Sequence, residues 1–524
     1  MNTRELLILK KEKLPDGIKK GLRNILVLST IFLLMILQVQ ASIFYVSVKG
    51  SPQGNGGANA PWDLRTALSD PRAVKPGDTI YILGGIYKGN FTSTLEGTVQ
   101  NPIIVKNAPG ERVIIDGNRR DSSVNNVTTL ILRGAFTWYI GLEITNSDTS
   151  RTIPIKGSNP KERRGEGVNV FGPGIKVINF IIHDTGQAIG AWKTAVNSEY
   201  YGNIIYNNGW NAPDRLHGHG VYSQNMTGIM KYLDNIIFNN FGYGWHIYGS
   251  KKAPLNNYYL EGNVCFNDQW LIGGEGPMRN IKLTNNFSYN SPVQMGYGLA
   301  DNDTLQLIKN YFPAGLYLFW WKNVTASGNT IFNGTSLSSP IAMRFAGPPD
   351  LNRFHFDNNI YYSTKVPRRR SLAFSWVNTS ADKSDPQKKG LFSLSEWQKA
   401  GQDKKSKLEY FPSSTFSKIA LEGTKVVVRQ NAYDPTRVML IIYNWDRQSS
   451  IRISLDGILK KGERYELHNV QDYFGDIVKG VSEGDGLEIS MKDRTVATPV
   501  GYDKSMGPDT FPEFGVFMLV KTGE

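Results

Sequence analysis

Between Asn179 and about Tyr362 the chain repeats one short pattern, an Asn followed by three mostly apolar residues and a closing polar one. The copies read Asn179-Phe-Ile-Ile-His183, Asn203-Ile-Ile-Tyr-Asn207, Asn235-Ile-Ile-Phe-Asn239 and Asn263-Val-Cys-Phe-Asn267. They continue as Asn286-Phe-Ser-Tyr-Asn290, Asn329-Thr-Ile-Phe-Asn333 and Asn359-Ile-Tyr-Tyr-Ser363, with a weaker copy at Asn310-Tyr-Phe. Successive first Asn residues lie 19 to 32 residues apart. A β-rich phrase returning at that interval is the mark of a solenoid. Helical repeats are disfavoured, because β-branched and aromatic residues fill each copy and Gly/Asn turns break it. Each copy predicts one coil of a parallel β-helix, apolar residues pointing into the bore and Asn at the bend. There its side chain can bond the next coil and tolerate a left-handed backbone. Turn chemistry in an ordinary β-sandwich would give shorter spacing and no recurring five-residue pattern.

The flanking segments change texture. Phe44-Tyr-Val-Ser-Val48 reads as a strand. Pro61 to Ser69 has helical spacing and suits a short helix plugging the open end of a solenoid. The stretches 147–167 and 209–217 interrupt the coil period, and long insertions in solenoids gather on one side, often the binding side. The first is rich in Arg and Lys, so it reads as a solvated loop or as a basic wall for an anionic substrate. Beyond Tyr362 the periodicity fades into a basic turn at 365–370 and a polar linker at 380–390. A short helix follows at 393–400, with Ser395 and Glu396 fitting its start and Gly401 closing it. From about 416 onward separate strands at 424–429, 437–443, 450–455, 463–467 and 514–520 predict a small antiparallel sandwich.

The phrases Lys75-Pro-Gly-Asp-Thr-Ile-Tyr-Ile-Leu83, Gly85-Ile-Tyr87 and Ala108-Pro-Gly-Glu-Arg-Val-Ile-Ile-Asp-Gly117 precede the Asn-centred coils. Together they resemble the secreted right-handed parallel β-helix proteins of the pectate-lyase-like superfamily, over roughly residues 42–385. The helix with Glu396-Trp-Gln and the later Gly-x-Asp is similar to one that seals the far end of such solenoids. The last segment resembles the β-sandwich modules that accompany many carbohydrate-active enzymes. The resemblance implies an all-β chain: residues 1–41 a signal peptide, 42–385 a right-handed parallel β-helix, 386–415 a linker with a capping helix, and 416–524 a β-sandwich. It is specific for fold and unspecific for activity, since that superfamily holds lyases, hydrolases, esterases, epimerases and phage tail spikes.

Composition adds limits. The first 24 residues carry seven Lys/Arg against three Asp/Glu, and a 13-residue apolar run from Ile25 to Leu37 follows. This reads as a secretory signal, too short for a comfortable membrane span. The expectation is a secreted, periplasmic or cell-surface protein with no span once the signal is removed, and a monomer, since a capped solenoid needs no partner. A single cysteine, Cys265, excludes a disulfide framework, and only six His make a structural zinc site improbable. The net charge of +13 suits a polyanionic partner. No nucleic-acid motif accompanies it, so an acidic polysaccharide is the expected ligand and nucleic acid is not.

Candidate chemistry concentrates between Trp210 and Glu275. Asp214-Arg215-Leu-His217-Gly-His219-Gly-Val-Tyr222 is followed one coil later by Gly242-Tyr243-Gly-Trp245-His246-Ile-Tyr248, and then by Trp270 to Glu275 and Arg279. Coils stack at about 4.8 Å, so distant residues become a row. His217, His219, Tyr222, His246 and Glu275 are the catalytic candidates. Lys193, Trp210, Asp214, Arg215, Trp245, Trp270, Arg279, Lys322 and Arg344 are the substrate-binding ones, although Trp or Tyr on these strands can equally fill the bore. A lyase acting on a uronic-acid chain needs a cation for the carboxylate, a base for the C5 proton and an acid for the leaving oxygen, all available here. A hydrolase needs two carboxyl groups, with Asp184, Asp214, Asp268, Glu275, Asp301 and Asp303 to choose from. A binding or attachment protein using the same groove is the third possibility. Gly218-His219-Gly220 matches the Gly-His-Gly of polygalacturonase-type hydrolases, but that family's Asn-Thr-Asp, Asp-Asp and Arg-Ile-Lys phrases are lacking, so its roles are not carried over. No cofactor is expected; Ca²⁺ is left open by Asp301-Asn-Asp303, which is too slight to claim a site.

Overall fold

The computed structural model describes residues 41–523 apart from 70–73, 119, 122–127, 159, 299–300, 334–338, 346–349, 365–373, 379–388 and 412–421. The expected signal segment, the basic turn at 365–370 and most of the polar linker lie outside the described residues. Three sheets of twelve strands each run the length of the molecule. Sheet 1 starts at Ile43–Val46 and ends at Phe354–Asp357. Sheet 2 runs from Gly85–Lys88 to Lys407–Phe411, and sheet 3 from Phe91–Ser93 to Lys389–Phe392. From Lys176 onward the chain visits sheets 1, 2 and 3 in turn on each coil, and each strand pairs in parallel with its equivalent one coil away, as at Ile204↔Ile236↔Val264. This is a parallel β-helix. Lys407–Phe411 adds a parallel strand to sheet 2, and Lys389–Phe392 turns back antiparallel on Phe374–Asn378 to end sheet 3, so both sheets extend into the segment read as linker.

The Asn phrase falls on the corner from sheet 1 to sheet 2, and its polar positions have separate tasks. The first Asn of each copy is buried. From Asn203 on, its amide nitrogen donates to the Oδ1 of the next: Asn203 to Asn235 at 2.8 Å, Asn235 to Asn263 at 2.9 Å, then Asn286, Asn310, Asn329 and Asn359 at 2.9 to 3.0 Å, whereas Asn179, itself left-handed, pairs with Asn431. The second hydrogen of each amide goes to a backbone carbonyl of the preceding coil, such as Tyr200 for Asn235. The left-handed turn belongs to the residue before it (Gly202, Asp234, Gly262, Asn285, Lys309, Gly328, Asn358), and the closing Asn207, Asn239, Asn267 and Asn290 also have positive φ. A buried side-chain amide that satisfies all its partners this way fixes the rung register.

Both ends of the bore are closed. Helix α1 (Leu64–Ser69) buries Leu64, Ala67 and Leu68 at the first coils. Helix α2 (Leu394–Lys399) lies within the expected 393–400, but Ser393 rather than Ser395 caps it, forming a reciprocal capping box with Glu396. Its Trp397 is fully buried against Phe356, and the loop after it turns Asp403 inward to accept from Asn359 and Tyr361, ending the Asn ladder.

The C-terminal domain has a five-stranded antiparallel sheet with Arg437–Asn444 and Phe514–Thr522 at its centre, and a two-stranded ribbon of Ser450–Ile453 and Leu487–Ser490. Ile451, Ile453 and Ile489 of the ribbon pack on Leu440, Ile442 and Leu519 of the sheet. The sheet's other face carries Met439, Ile441, Tyr443, Phe514 and Val516, and it lies on the outer side of sheet 2. There it meets the aromatic column Tyr206, Phe238 and Phe266, whose rings stack at 5.2 and 4.7 Å. Strands such as Ile204–Tyr206 and Ile236–Phe238 are therefore buried on both faces, which is why they read as unbroken apolar runs.

Candidate functional site

Two adjacent strands of sheet 3, Val221–Ser223 and Trp245–Gly249, are built differently, since their burial alternates. In Trp245–Gly249 the odd positions are buried and His246 and Tyr248 point outward, and in Val221–Ser223 only Tyr222 does. The register Gly190↔Tyr222↔His246 sets those two side chains on adjacent rungs. His219 precedes its strand by two residues, and its ring lies 4.1 Å from that of His246, centre to centre. Tyr222 is 5.2 Å and Tyr243 5.1 Å from His246, and Tyr248 stands 4.8 Å from it on the other side. Trp192 extends the row, 5.6 Å from Tyr222. Only glycine fits at position 190, since a β-carbon there would strike the Asn169 side chain.

The electrostatics of this cluster follow from its packing. Burial, then the charges of His246 and Arg215, hold His219 well below the usual imidazole range. Burial, with a smaller contribution from Arg215, lowers His246 to about 3. Both rings are neutral at pH 7. The backbone N–H of Tyr243 donates to Nδ1 of His219 at 3.2 Å, which leaves the His219 proton on Nε2. Nδ1 of His246 is buried with no hydrogen-bond partner among the described residues, so charging that ring would bury an unpaired cation. Burial raises the Tyr222 hydroxyl, and burial together with Glu275 raises Tyr248.

The two insertions meet beside this cluster. Trp210–Asn211 pairs with Leu216–His217 as a small hairpin, and Thr152 bridges to Asn211. Arg215, exposed near the hairpin tip, donates to Ser158 of the other insertion at 2.6 Å. The basic wall expected from 147–167 is only partly there. Arg151 and Arg164 are buried: Arg151 bonds Asp184 and the Asn207 and Gly209 carbonyls, Arg164 the carbonyls of Asn146, Asp148 and Asp184.

Several sequence candidates are corrected. Trp245 and Trp270 are fully buried in the bore, stacked on each other at 5.2 Å, and cannot serve as sugar platforms. Trp210 is buried with Ile153 and Ala212 and stacks on His217 at 5.4 Å. His217 itself is 3% exposed and its Nε2 faces Asp214 at 3.0 Å, a bond that holds Asp214 at about 2. These three shape the hairpin and do not face the trench. Arg279 and Lys322 both meet Asp301, the latter at 2.5 Å, at the corner leading back to sheet 1. Arg344 is exposed over the Phe319 ring on sheet 3, in the row of Tyr248 but four rungs on, roughly 19 Å away. Glu275 is exposed at the end of its strand near Tyr248, and Lys193 is exposed in the turn beside Trp192. Tyr243, not among the sequence candidates, is brought into the cluster by the same glycine-flanked phrase that carries His246. Among the described residues no three His, Cys, Asp or Glu converge as a metal cluster, and the Asp301 and Asp303 carboxylates meet Lys322 and Asn323.

No family model matches the chain. Pectate lyase L of Thermoclostridium stercorarium is 24% identical over 291 residues, which is 51% of this chain and 22% of that protein. The matched segment thus spans about a fifth of that relative's length. Among solved structures, pectate lyase Pel9A is 16% identical, with 66% of this chain and 82% of that one covered at a TM-score of 0.36. The alginate lyase of Paenibacillus sp. str. FPU-7 is 15% identical, with 62% and 93% covered at 0.35. The GH136 lacto-N-biosidase of Eubacterium ramulus is 13% identical, with 71% and 68% covered at 0.36. The chain has the parallel β-helix fold. Among its described residues no helix is long and apolar enough to cross a membrane.

Proposed function

We propose that this protein cleaves an acidic polysaccharide by β-elimination in the trench along the outer face of sheet 3. The observation that carries the reading is the neutral pair His219–His246 packed against Tyr222, with the Arg215 guanidinium close enough to lower both imidazoles. Arg215 neutralises the uronate carboxylate, which acidifies the C5 proton. His246 takes that proton, because the neutral His219 already holds its own on Nε2. Engaging Arg215 with the substrate carboxylate removes the smaller of the two causes that lower His246, burial being the larger, so its basicity rises in part on binding. As the C4–O bond breaks and the C4=C5 double bond forms, Tyr222, protonated by virtue of its raised pKa, gives its proton to the leaving oxygen. Trp192, Tyr248 and the more distant Arg344 extend the trench for neighbouring sugars. Export from the cytoplasm goes with a polymeric substrate and with the basic-then-apolar start of the sequence.

The hydrolase reading loses support from the carboxylates. Asp184 lies under the C-terminal domain, Asp268 is buried beside Asn240, and Asp301 is paired with Lys322 and Arg279. The deciding experiment is incubation with a panel of acidic and neutral polysaccharides. Unsaturated, ultraviolet-absorbing ends from an acidic polymer are expected. New reducing ends without that absorbance would mean hydrolysis, and binding without either would mean a non-catalytic protein.

A further inference from the structure

Away from the trench, the outer face of sheet 1 carries a groove of about 410 Å³. Strand register sets one outward row across it, Lys231↔Tyr259↔Lys282↔Gln306, on successive rungs. The alternate residues Tyr258, Ile281 and Leu305 turn into the bore. Asn257, Asn280 and Thr304, each two residues before its member of the row, have φ of 56°, 56° and 62°, so three neighbouring strands bend at one level. Left-handed backbone is ordinary for Asn but an outlier for β-branched Thr, and strain of this kind gathers at ligand sites.

The groups along the groove are accessible and little committed. The C-terminal domain covers the row only as far as Glu199, through Tyr433, and contributes nothing to the lining. Lys282 is exposed, its ammonium 5.2 Å from the Tyr259 ring centre and without a carboxylate partner among the described residues. Lys231 is 44% exposed and only approaches Glu199, at 3.9 Å. Asn280 donates to Asn257 at 3.0 Å, which leaves the Asn257 amide nitrogen, the Asn280 amide oxygen and the Gln306 amide without side-chain partners among the described residues. We propose that this groove is a second, non-catalytic site for a strand of acidic polysaccharide, with Lys231 and Lys282 meeting its carboxylates and the three amides its hydroxyls. The two lysines sit two rungs apart, roughly 10 Å along the solenoid, with Tyr259 between them, so the site is linear and suits a chain better than a lone anion. Half-exposed Ile229 and the Tyr259 ring add apolar contact for the sugar faces. A polymer held here and in the trench on sheet 3 makes two contacts with one molecule, and its effective affinity exceeds that of either alone. The acidic class of the polymer rests on the proposed function, whereas binding here needs no cleavage.

Retardation of the full-length protein in native gels containing polygalacturonate, alginate or a neutral glucan tests the site, with mobility referred to a gel without polymer. Migration reports binding whether or not the trench cleaves. At least one acidic polymer is expected to slow the wild type more than the glucan does. Lys231→Gln combined with Lys282→Gln, which keeps much of each stem, should weaken that binding by roughly 10- to 100-fold. Turnover of a uronate oligosaccharide too short to reach both faces should be unchanged in this variant. Lys460→Gln with Lys461→Gln, an exposed pair on the C-terminal domain, controls for net charge and should bind as wild type does. No retardation of the wild type by an acidic polymer, equal retardation of wild type and the groove variant, or an equal loss in the control pair overturns the site. Lysine-dependent retardation without turnover of any uronate would retire the trench chemistry and leave this site standing.

Discussion

Sheets 2 and 3 are made by the same coils, yet one is a foundation and the other a work surface. On sheet 2 the strands are apolar at both parities, and the C-terminal sheet covers the outer side. On sheet 3 the mid-solenoid strands Val221–Ser223 and Trp245–Gly249 alternate, and their outward positions carry His and Tyr. A repeat conspicuous in the sequence therefore marks where the molecule is braced, and the chemistry proposed for it lies where the pattern is less regular. Covering one sheet also leaves the trench free of the module that stabilises it.

That contrast can be broken from either side. The largest effect is expected on sheet 3: His246→Ala should lower turnover by about 10²–10⁴-fold with the unfolding transition unmoved. Near-wild-type rates from both His246→Ala and His219→Ala would retire the site. On sheet 2 the opposite split is expected. Phe266→Ala removes a ring stacked on Phe238 and edge-on to Phe514 and should cost roughly 3–5 kcal/mol in denaturant unfolding, with turnover per folded molecule unchanged. Asn263→Ala breaks the ladder between Asn235 and Asn286 and should cost about 1–3 kcal/mol, for the donors and acceptors it strands.

An effect of similar size to the ladder's is one of pH. Burial alone would lower His183, but its bonds to Asp184 and Glu143 raise it to about 9. A folded-state pKa above the unfolded value of about 6.5 gives stability that is complete below pH 6.5. It fades as pH rises through about 9, by up to ~3 kcal/mol, and this ion cluster also receives the Val500 N–H of the C-terminal domain. Tm measured from pH 6 to 10 should fall in that window, and His183→Gln should flatten the fall. A wild-type profile with no such slope would refute the assignment.

How much of this could be read from the sequence follows from which forces are local. The coils were legible because each rung repeats its own turn chemistry and its own ladder Asn. Trp245 and Trp270 were misread although period-2 parity held the answer: if His246 faces outward, Trp245 beside it must face the bore. The docking of the C-terminal domain had a signal too, in three-residue strands such as Ile-Ile-Phe with no polar side, which need cover on both faces. The strands Ile477–Val481 and Leu487–Ser490, by contrast, were missed: Gly480 interrupts the first, and the second, though it alternates, is only four residues long. Nor could the burial of Arg151 and Arg164 be foreseen, because their partners are mostly backbone carbonyls brought together by the coil itself.

The Asn ladder has a consequence for how such a protein can vary. Neighbouring ladder residues are separated by 32, 28, 23, 24, 19 and 30 positions in the chain, while the bond between them stays between 2.8 and 3.0 Å. Segments are free to lengthen or shorten at the other corners, but this one admits change only by whole turns. A deletion of one residue within a phrase would disrupt the stack, whereas ten added at the hairpin tip would alter only the rim of the trench. New specificities would thus be sought by editing rims, with the spine passed on intact.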